Sequence, residues 1–285
     1  EHLPGLLKAA GLDKIQLTHM YYGGRLVSEY YAGWSTSADY KCYECGPGAT
    51  SWTETTGKTL KQVAESRSWD IITIQEHTGN AAAWVWNTAA QNNLQGLVNS
   101  AKATQTGAMP KFYYIMSQAY FNMDKIGSGS KPSMTWTDQA GMWEVISSFG
   151  KKVMDNVSFD GIISTGVMLQ NLRTSPLDND MNLTRDGYHM DNGISRYGAA
   201  CTVFESLITP KYGIKLDSNS YRYSVENTST SAYSTPVTDA NAPVALKAAR
   251  YAIANPYVVT DMSDVKEDLP GNSIGDVDFE EGSKE

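Results

Sequence analysis

The sequence contains no uninterrupted apolar run of about 18 residues, the length that a membrane-spanning helix needs. It also lacks a basic surplus, because 23 lysines and arginines stand against 31 aspartates and glutamates. Nucleic acids and anionic membranes are bound through clustered positive charge. We therefore expect neither a membrane span nor a nucleic-acid partner.

The acidic charge is concentrated near the end of the chain. Of the formal net charge of −8, residues 261–285 carry −7, with nine acidic residues and two lysines. Residues 1–260 are thus nearly neutral. We expect them to form one domain, followed by a solvated acidic tail.

Cysteine is scarce, and three cysteines do not make a disulfide framework. Cys42 and Cys45 have CxxC spacing but fall in residues 40–48, which we interpret as a loop because of their glycine and tyrosine content. A structural role, a local disulfide and a redox or metal role all stay open for this pair. Cys201 lies on the apolar stripe of a predicted helix, which indicates a core position.

Apolar segments with strand character alternate with amphipathic helices along the chain. We predict strands at 15–22, 69–75, 111–116 and 161–167, and helices at 3–10, 58–66, 84–106, 194–208 and 240–255. A further helix, capped by Thr135 or Thr137, should bury Met142, Val145, Ile146, Phe149 and Val153. Residues 217–238 are predicted to be a loop or a small β excursion. This alternation indicates an α/β fold whose parallel sheet is covered on both faces.

The pattern Asp186-Gly187-Tyr188-His189 carries the main chemical signal. A carboxylate three residues before a histidine can accept a hydrogen bond from one imidazole nitrogen, which leaves the other nitrogen free as a base. Gly187 lets the backbone turn tightly between the two. The alternatives are a helix-capping role for His189 and a backbone-binding turn role for Asp186.

In parallel α/β sheets the chemistry gathers at the carboxyl ends of the strands. Gly23 and Gly24 follow the first predicted strand, residues 75–80 follow the second, and the Asp186–His189 turn comes later, so we expect these three loops to meet. Ser117 also lies at this edge and is interpreted as an ordinary loop residue. His77, Glu76 and His189 lack ligand spacing, so we expect no metal and no cofactor.

These motifs resemble those of the SGNH (GDSL-like) hydrolase superfamily, in particular a branch of secreted proteins from gut-type bacteria. The resemblance covers residues 1–210. It implies a flavodoxin-like, three-layer α/β/α domain that hydrolyses esters with a Ser-His-Asp triad. The implied substrate is a small-molecule or glycan ester, for example an O-acetyl group on a carbohydrate, and the implied location is secreted, periplasmic or at the cell surface.

The resemblance also implies a role for each matched residue. His189 would be the base, Asp186 would orient it, and the oxyanion would be bound by the N–H of Gly24 or Gly23 and by a side-chain amide. The superfamily commonly uses an asparagine in a Gly-x-Asn motif, for which Gln75 or Asn80 would substitute here, with His77 lining the pocket. The first strand and the nucleophilic serine are expected upstream of Glu1.

A non-catalytic carbohydrate-binding protein with the same fold is the alternative. The absence of a serine at the expected place and the 17 tyrosines and 7 tryptophans motivate it. Trp84 and Trp86 could form the floor of a sugar-binding pocket or pack within the protein. The sequence leaves the oligomeric state open.

Overall fold

The computed structural model describes residues 1–83, 86–121 and 138–265. Two three-stranded sheets occur in these ranges, one antiparallel with the order β1-β2-β3 and one parallel with the order β4-β5-β6. The strands are β1 Leu17–Tyr21, β2 Lys41–Cys45, β3 Thr53–Thr55, β4 Ile71–Gln75, β5 Lys111–Ile115 and β6 Gly161–Ile163. Together with the helices they form a mixed α/β protein.

The helices are numbered in chain order and lie between and around the strands. They are α1 Leu3–Ala9, α2 Val27–Ala32, α3 Leu60–Glu65, α4 Thr78–Ala83, α5 Thr88–Ala103, α6 Gln139–Asn156, α7 Thr165–Arg173, α8 Ile194–Val203, α9 Thr209–Tyr212 and α10 Ala242–Ala254, with a π-helical turn Phe204–Ile208 after α8. Local signals start several of them. Thr59 caps α3 by accepting from the N–H of Gln62, and Asn87 caps α5 by accepting from that of Ala90.

The core lies between the parallel sheet and the helices that connect its strands. β5 is its central strand, with Phe112 and Tyr114 fully or almost fully buried. The apolar stripe predicted for α6 is confirmed at Met142, Ile146, Phe149 and Val153, which are buried, whereas Val145 is only partly buried. The stripe of the helix predicted at 194–208 is confirmed, because its residues along α8 and the π-helical turn are buried: Ile194, Tyr197, Cys201, Phe204 and Ile208. Sequence periodicity therefore identified the helix faces that build the core.

The strand predicted at residues 15–22 forms, but it does not join the parallel sheet. β1 pairs antiparallel with β2, with Leu17 opposite Cys45. The interpretation of residues 40–48 as a loop is therefore wrong, since most of this segment is β2. Cys42 and Cys45, which are 0% and 2% exposed, anchor β2 in the interior, and their thiols are free, which supports the structural role for this pair.

Several predicted boundaries also change. The strand predicted at 161–167 ends at Ile163, because α7 begins at Thr165. The cap of α6 is Asp138, which accepts from the N–H of Gly141 at 2.8 Å, whereas Thr135 and Thr137 lie outside the described residues. Trp84 lies outside them as well.

In the second half of the chain, residues 217–238 contain a small β excursion, and the folded body extends past residue 260. Two isolated antiparallel bridges, Tyr223 with Val237 and Asn227 with Ser234, form the small β excursion. Met262 is 1% exposed and its N–H donates to Thr174 at 2.8 Å, so the body continues past residue 260. Residues 266–285, most of the predicted acidic tail, lie outside the described part.

In the described part, β1 and β4 are edge strands of their sheets. An additional strand upstream of Glu1 stays a prediction.

Trp86 packs edge to face on Phe149, with ring centroids 5.4 Å apart, which is ordinary interior packing. Across all the residues that the structure describes, no helix is long and apolar enough to cross a membrane.

His2 fastens the start of the chain to the segment that follows His189. It is 2% exposed, with Nε2 2.9 Å from the carbonyl oxygen of Asn192 and Nδ1 2.9 Å from the hydroxyl of Tyr221. A carbonyl only accepts, so Nε2 carries the proton and Nδ1 accepts from Tyr221. Burial lowers the pKa of His2 to about 4.

We predict that His2 makes the protein less stable in mild acid. Its folded-state pKa is depressed from the ordinary 6.5 to about 4, so the stability it contributes is present above pH 6.5 and is lost as the pH falls towards 4. The full effect is at most about 3 kcal/mol. Urea unfolding at pH 7.5 and 4.5 should show a smaller loss for His2→Gln than for the wild type. Equal losses would contradict this assignment.

Candidate active site

The turn at residues 184–189 is organised by the Asp186 carboxylate. Its Oδ1 accepts hydrogen bonds from the N–H groups of Tyr188 at 3.1 Å and His189 at 2.9 Å. Its Oδ2 lies 2.7 Å from Nδ1 of His189. The contact predicted from the spacing is therefore present, and the same carboxylate also folds the turn that brings the imidazole to it.

Gly187 and the segment after β5 hold this turn in place. Gly187 has φ 89°, a conformation that favours glycine, and its N–H donates to Oγ1 of Thr184 at 3.1 Å. The N–H of Phe121 donates to the carbonyl of Gly187 at 2.7 Å, and the Gln118 amide donates to the carbonyl of Tyr188 at 2.9 Å. Two hydrogen bonds from the segment after β5 therefore stabilise the turn.

The electrostatics of the turn favour a charged aspartate. Partial burial raises the pKa of Asp186, but hydrogen bonds from the backbone and side chain of His189 and the backbone of Tyr188 outweigh it and leave the pKa lowered. Arg185, with Nε 3.5 Å from Oδ2 of Asp186, adds a positive charge. Because the carboxylate only accepts, Nδ1 of His189 carries the proton and Nε2 keeps its lone pair. The His189 side chain is 55% exposed, so Nε2 is available to a reactant.

The loop after β4 lies close to this turn. Desolvation lowers the pKa of His77, the charge of Glu29 raises it, and the charge of His189 lowers it further. His77 begins the loop that leads into α4, and the N–H of Asn80 donates to its carbonyl at 3.0 Å. One part of the predicted meeting of three loops, the approach of residues 75–80 to the Asp186–His189 turn, is supported by this interaction and by Tyr120.

Tyr120 joins the same two segments. Its hydroxyl is hydrogen-bonded to the backbone of Gly79, and burial raises its pKa to about 12. Its ring packs edge to face on Tyr188, with centroids 4.9 Å apart. A half-buried aromatic pair therefore lies next to the histidine.

The glycine turn is connected to this cluster through Glu76. Gly23 and Gly24 form a turn that is closed by a hydrogen bond from the N–H of Arg25 to the carbonyl of Tyr22, at 3.3 Å. Gly24 has φ 76°, a conformation that favours glycine. Three residues after Gly24, the N–H of Val27 donates to Oε1 of Glu76 at 3.0 Å. The turn is thus linked through Glu76 to His77 and the β4 loop.

The predicted residues differ in how closely they join this cluster. Asp186, His189, His77 and Asn80 lie on the two loops in contact. Gln75 ends β4 with an exposed side chain. Ser117 is 1% exposed and its Oγ has no hydrogen-bond partner among the described residues, which agrees with an internal rather than a nucleophilic position.

Two residues of the cluster were not predicted to act there. The sequence indicates Glu76 only as a possible metal ligand and gives no signal for Tyr120. An acid directly after an apolar strand segment, where desolvation is costly, is the sequence signal that could have identified Glu76. Within the described ranges, no group of three or more His, Cys, Asp or Glu side chains is placed to hold a metal.

The fold and the site together define an α/β protein with an Asp–His pair where loops from both sheets approach each other. The chain belongs to the DUF4886 family, described as a domain of unknown function, whose model matches residues 1–240. It is similar, at 26% identity, to a DUF4886 family protein from Bacteroides uniformis ATCC 8492 with a crystal structure at 1.50 Å. The two structures superpose with a TM-score of 0.76 over 93% of each chain. No curated protein matches the sequence.

We predict that Asp186→Asn keeps the turn but changes the tautomer of His189. Asn can still accept from the two backbone N–H groups through its oxygen, which leaves its NH2 group facing Nδ1. The imidazole proton should then move to Nε2. Imidazole ¹⁵N spectra at neutral pH should show an Nδ1–H form in the wild type and an Nε2–H form in the variant. The same tautomer in both proteins would contradict the assigned contact.

Proposed function

We propose that this protein is an ester hydrolase of the SGNH type, in which His189 is the general base and Asp186 orients it. The 2.7 Å contact between Oδ2 of Asp186 and Nδ1 of His189 carries the proposal. A carboxylate in this position stabilises the imidazolium that forms when the base takes a proton from a nucleophile.

The proposal requires a serine hydroxyl at Nε2 of His189. Among the described residues, no serine forms a hydrogen bond with this imidazole. In the proposed mechanism the serine lies on the turn after a further strand, as the resemblance to SGNH hydrolases implies. The same proposal includes the finer fold, a three-layer, flavodoxin-like α/β/α domain, and a secreted, periplasmic or cell-surface location.

The proposed substrate is a small acyl ester, such as an O-acetyl group on a carbohydrate. The rings of Tyr120 and Tyr188 lie next to the catalytic turn and offer apolar surface that suits the face of a sugar. Asn80 or Gln75, with the N–H of Gly24 or Gly23, would donate hydrogen bonds to the oxyanion, and each such donor contributes about 3 to 4 kcal/mol to transition-state stabilisation.

A non-catalytic carbohydrate-binding protein is the second candidate. Three tyrosines at or near the glycine turn are exposed, with 43% of Tyr21, 41% of Tyr22 and 40% of Tyr31 accessible. Exposed tyrosines of this kind suit sugar binding without requiring a nucleophile. Binding of an acetylated oligosaccharide without turnover would favour this candidate.

We predict that the purified full-length protein hydrolyses p-nitrophenyl acetate and that His189→Ala lowers kcat/KM at least about a thousandfold, because the base is removed. His19→Ala is the matched control, since His19 is an exposed histidine on β1 whose ring packs against Tyr21 and Tyr43. It should retain wild-type activity. Equal rates for the wild type and His189→Ala would remove the hydrolase proposal.

A further inference from the structure

Arg173, the last residue of α7, links two segments that adjoin the turn at residues 184–189. Its Nη1 donates to the carbonyl of Ala119 at 3.0 Å, and its Nε donates to the carbonyl of Asn182 at 3.2 Å. Nη1 also donates to Oε1 of Gln170, on the same helix, at 2.5 Å. One guanidinium therefore joins the segment after β5 to the segment that leads into the turn.

The segment at residues 118–121 contacts the turn directly. At its two ends, the Gln118 amide and the N–H of Phe121 donate to carbonyls of the turn, at 2.9 Å and 2.7 Å. Between these ends, Ala119 has the carbonyl that binds Arg173. A shift of this carbonyl would therefore be transmitted to the two hydrogen bonds that stabilise the turn.

The other segment that Arg173 binds has a strained backbone. Asn182 and Leu183 have φ 50° and φ 59°, the left-handed region that favours glycine, and such residues persist only where neighbouring contacts hold them. The carbonyl of Leu183 accepts from Oγ of Ser195 at 2.8 Å, and Arg173 holds the carbonyl of Asn182. The next residue, Thr184, begins the turn, so the strain lies directly before the Asp–His pair.

No ion pair in the described part of the chain explains the burial of this charge. The three hydrogen bonds of the Arg173 guanidinium go to neutral oxygens, and its Nη2 is buried without a hydrogen-bond partner among the described residues. Burial lowers the pKa of Arg173 to about 9, against an opposing effect of Asp178. Because burying a charge is costly, a role in holding the two carbonyls accounts for it better. A planar guanidinium presents its donors in fixed directions, which suits this task.

Gln139, the first residue of α6, makes a second link between the same segments. Its Nε2 donates to the carbonyl of Tyr120 at 2.9 Å and to Oδ1 of Asn182 at 2.5 Å. The two segments are thus joined by a charged and by a neutral side chain. Variants that lack the charged link should still fold, because the neutral link is kept.

We propose that Arg173 is a positioning residue, which holds Ala119 and Asn182 together and so sets the place of the Asp186–His189 pair. Its effect on turnover rests on the proposed ester hydrolysis, whereas its effect on the imidazole does not. An acid–base pair is effective only when it is held in the geometry of the reaction, and small displacements lower the rate strongly. In this role Arg173 acts through the turn rather than on the substrate.

Imidazole ¹⁵N spectra of the full-length protein test this role without turnover. Arg173→Ala removes both hydrogen bonds between the segments, so the turn should sample more than one position. The Nδ1–H signal of His189 should then broaden or be lost, whereas it should be sharp in the wild type. Guanidinium chloride, far below the molar concentrations that unfold proteins, should restore the signal by replacing the missing group. Sodium chloride at the same concentration should not.

Steady-state kinetics with p-nitrophenyl acetate give the second readout. Arg173→Ala should lower kcat about 10- to 100-fold with KM within about threefold of the wild type, because the base is displaced while the binding surface is kept. Guanidinium chloride should raise the kcat of this variant and leave that of the wild type unchanged.

Arg173→Lys keeps the charge and the long stem, so it should fold even if Arg173→Ala does not. An ammonium on a flexible stem cannot bind the carbonyls of Ala119 and Asn182 in a fixed geometry. This variant should therefore also broaden the His189 signal and lower kcat.

Arg222→Gln is the matched control. Arg222 donates through Nη1 to the carbonyls of Asn219 and Tyr221, both at 2.8 Å, so this variant also removes two guanidinium–carbonyl bonds. It should keep the sharp His189 signal and the wild-type kcat.

Three results would each overturn the inference: a sharp His189 signal in Arg173→Ala and Arg173→Lys, a broadened signal that guanidinium does not restore, or an equal loss in Arg222→Gln. The hydrolase proposal fails separately. Turnover that depends on His189 but is unchanged in the Arg173 variants overturns the role of Arg173 and leaves the hydrolase proposal standing. No turnover by the wild type, with a His189 signal that depends on Arg173, overturns the hydrolase proposal and leaves the positioning role standing.

Discussion

The hydrogen bonds of one carboxylate, that of Asp186, determine both the shape and the chemistry of the site. One oxygen binds two backbone N–H groups and so folds the turn, and the other holds Nδ1 of the imidazole. The histidine is therefore brought to its partner by the same group that orients it. The bracing bonds from Gln118 and Phe121 limit how far the turn can shift. Preorganisation of this kind lets an acid–base pair act without a costly rearrangement.

Two carboxylates in the cluster have opposite environments and different tasks. The hydrogen bonds to Asp186 leave its pKa lowered, whereas burial raises the pKa of Glu76 in spite of its three donors. Asp186 is partly open to solvent and contacts the residue that would react. Glu76 is enclosed and contacts groups that need a fixed place. Because the two functions are carried by different carboxylates, the environment of Asp186 can favour its charged form while that of Glu76 favours a fixed, buried position.

Local patterns in the sequence were sufficient for the features that depend on local geometry. The spacing of Asp186 and His189 identified their contact, and apolar periodicity identified the buried faces of α6 and α8. Non-local features were not accessible in this way. The antiparallel pairing of β1 with β2 joins residues that are twenty or more positions apart, and the hydrogen bond from the first residue of α2 to Glu76 spans 49 positions. No propensity or spacing encodes such contacts, because tertiary packing selects them.

A fluorophosphonate probe followed by mass spectrometry tests most directly whether Asp186 and His189 activate a serine. Such probes bond to serines whose proton is removed by an adjacent base. If His189 is that base, the full-length protein should carry the adduct on one serine, and labelling should be lost in His189→Ala. Labelling of that serine at the same rate without His189, or no labelling of the wild type, would contradict a catalytic role for the pair.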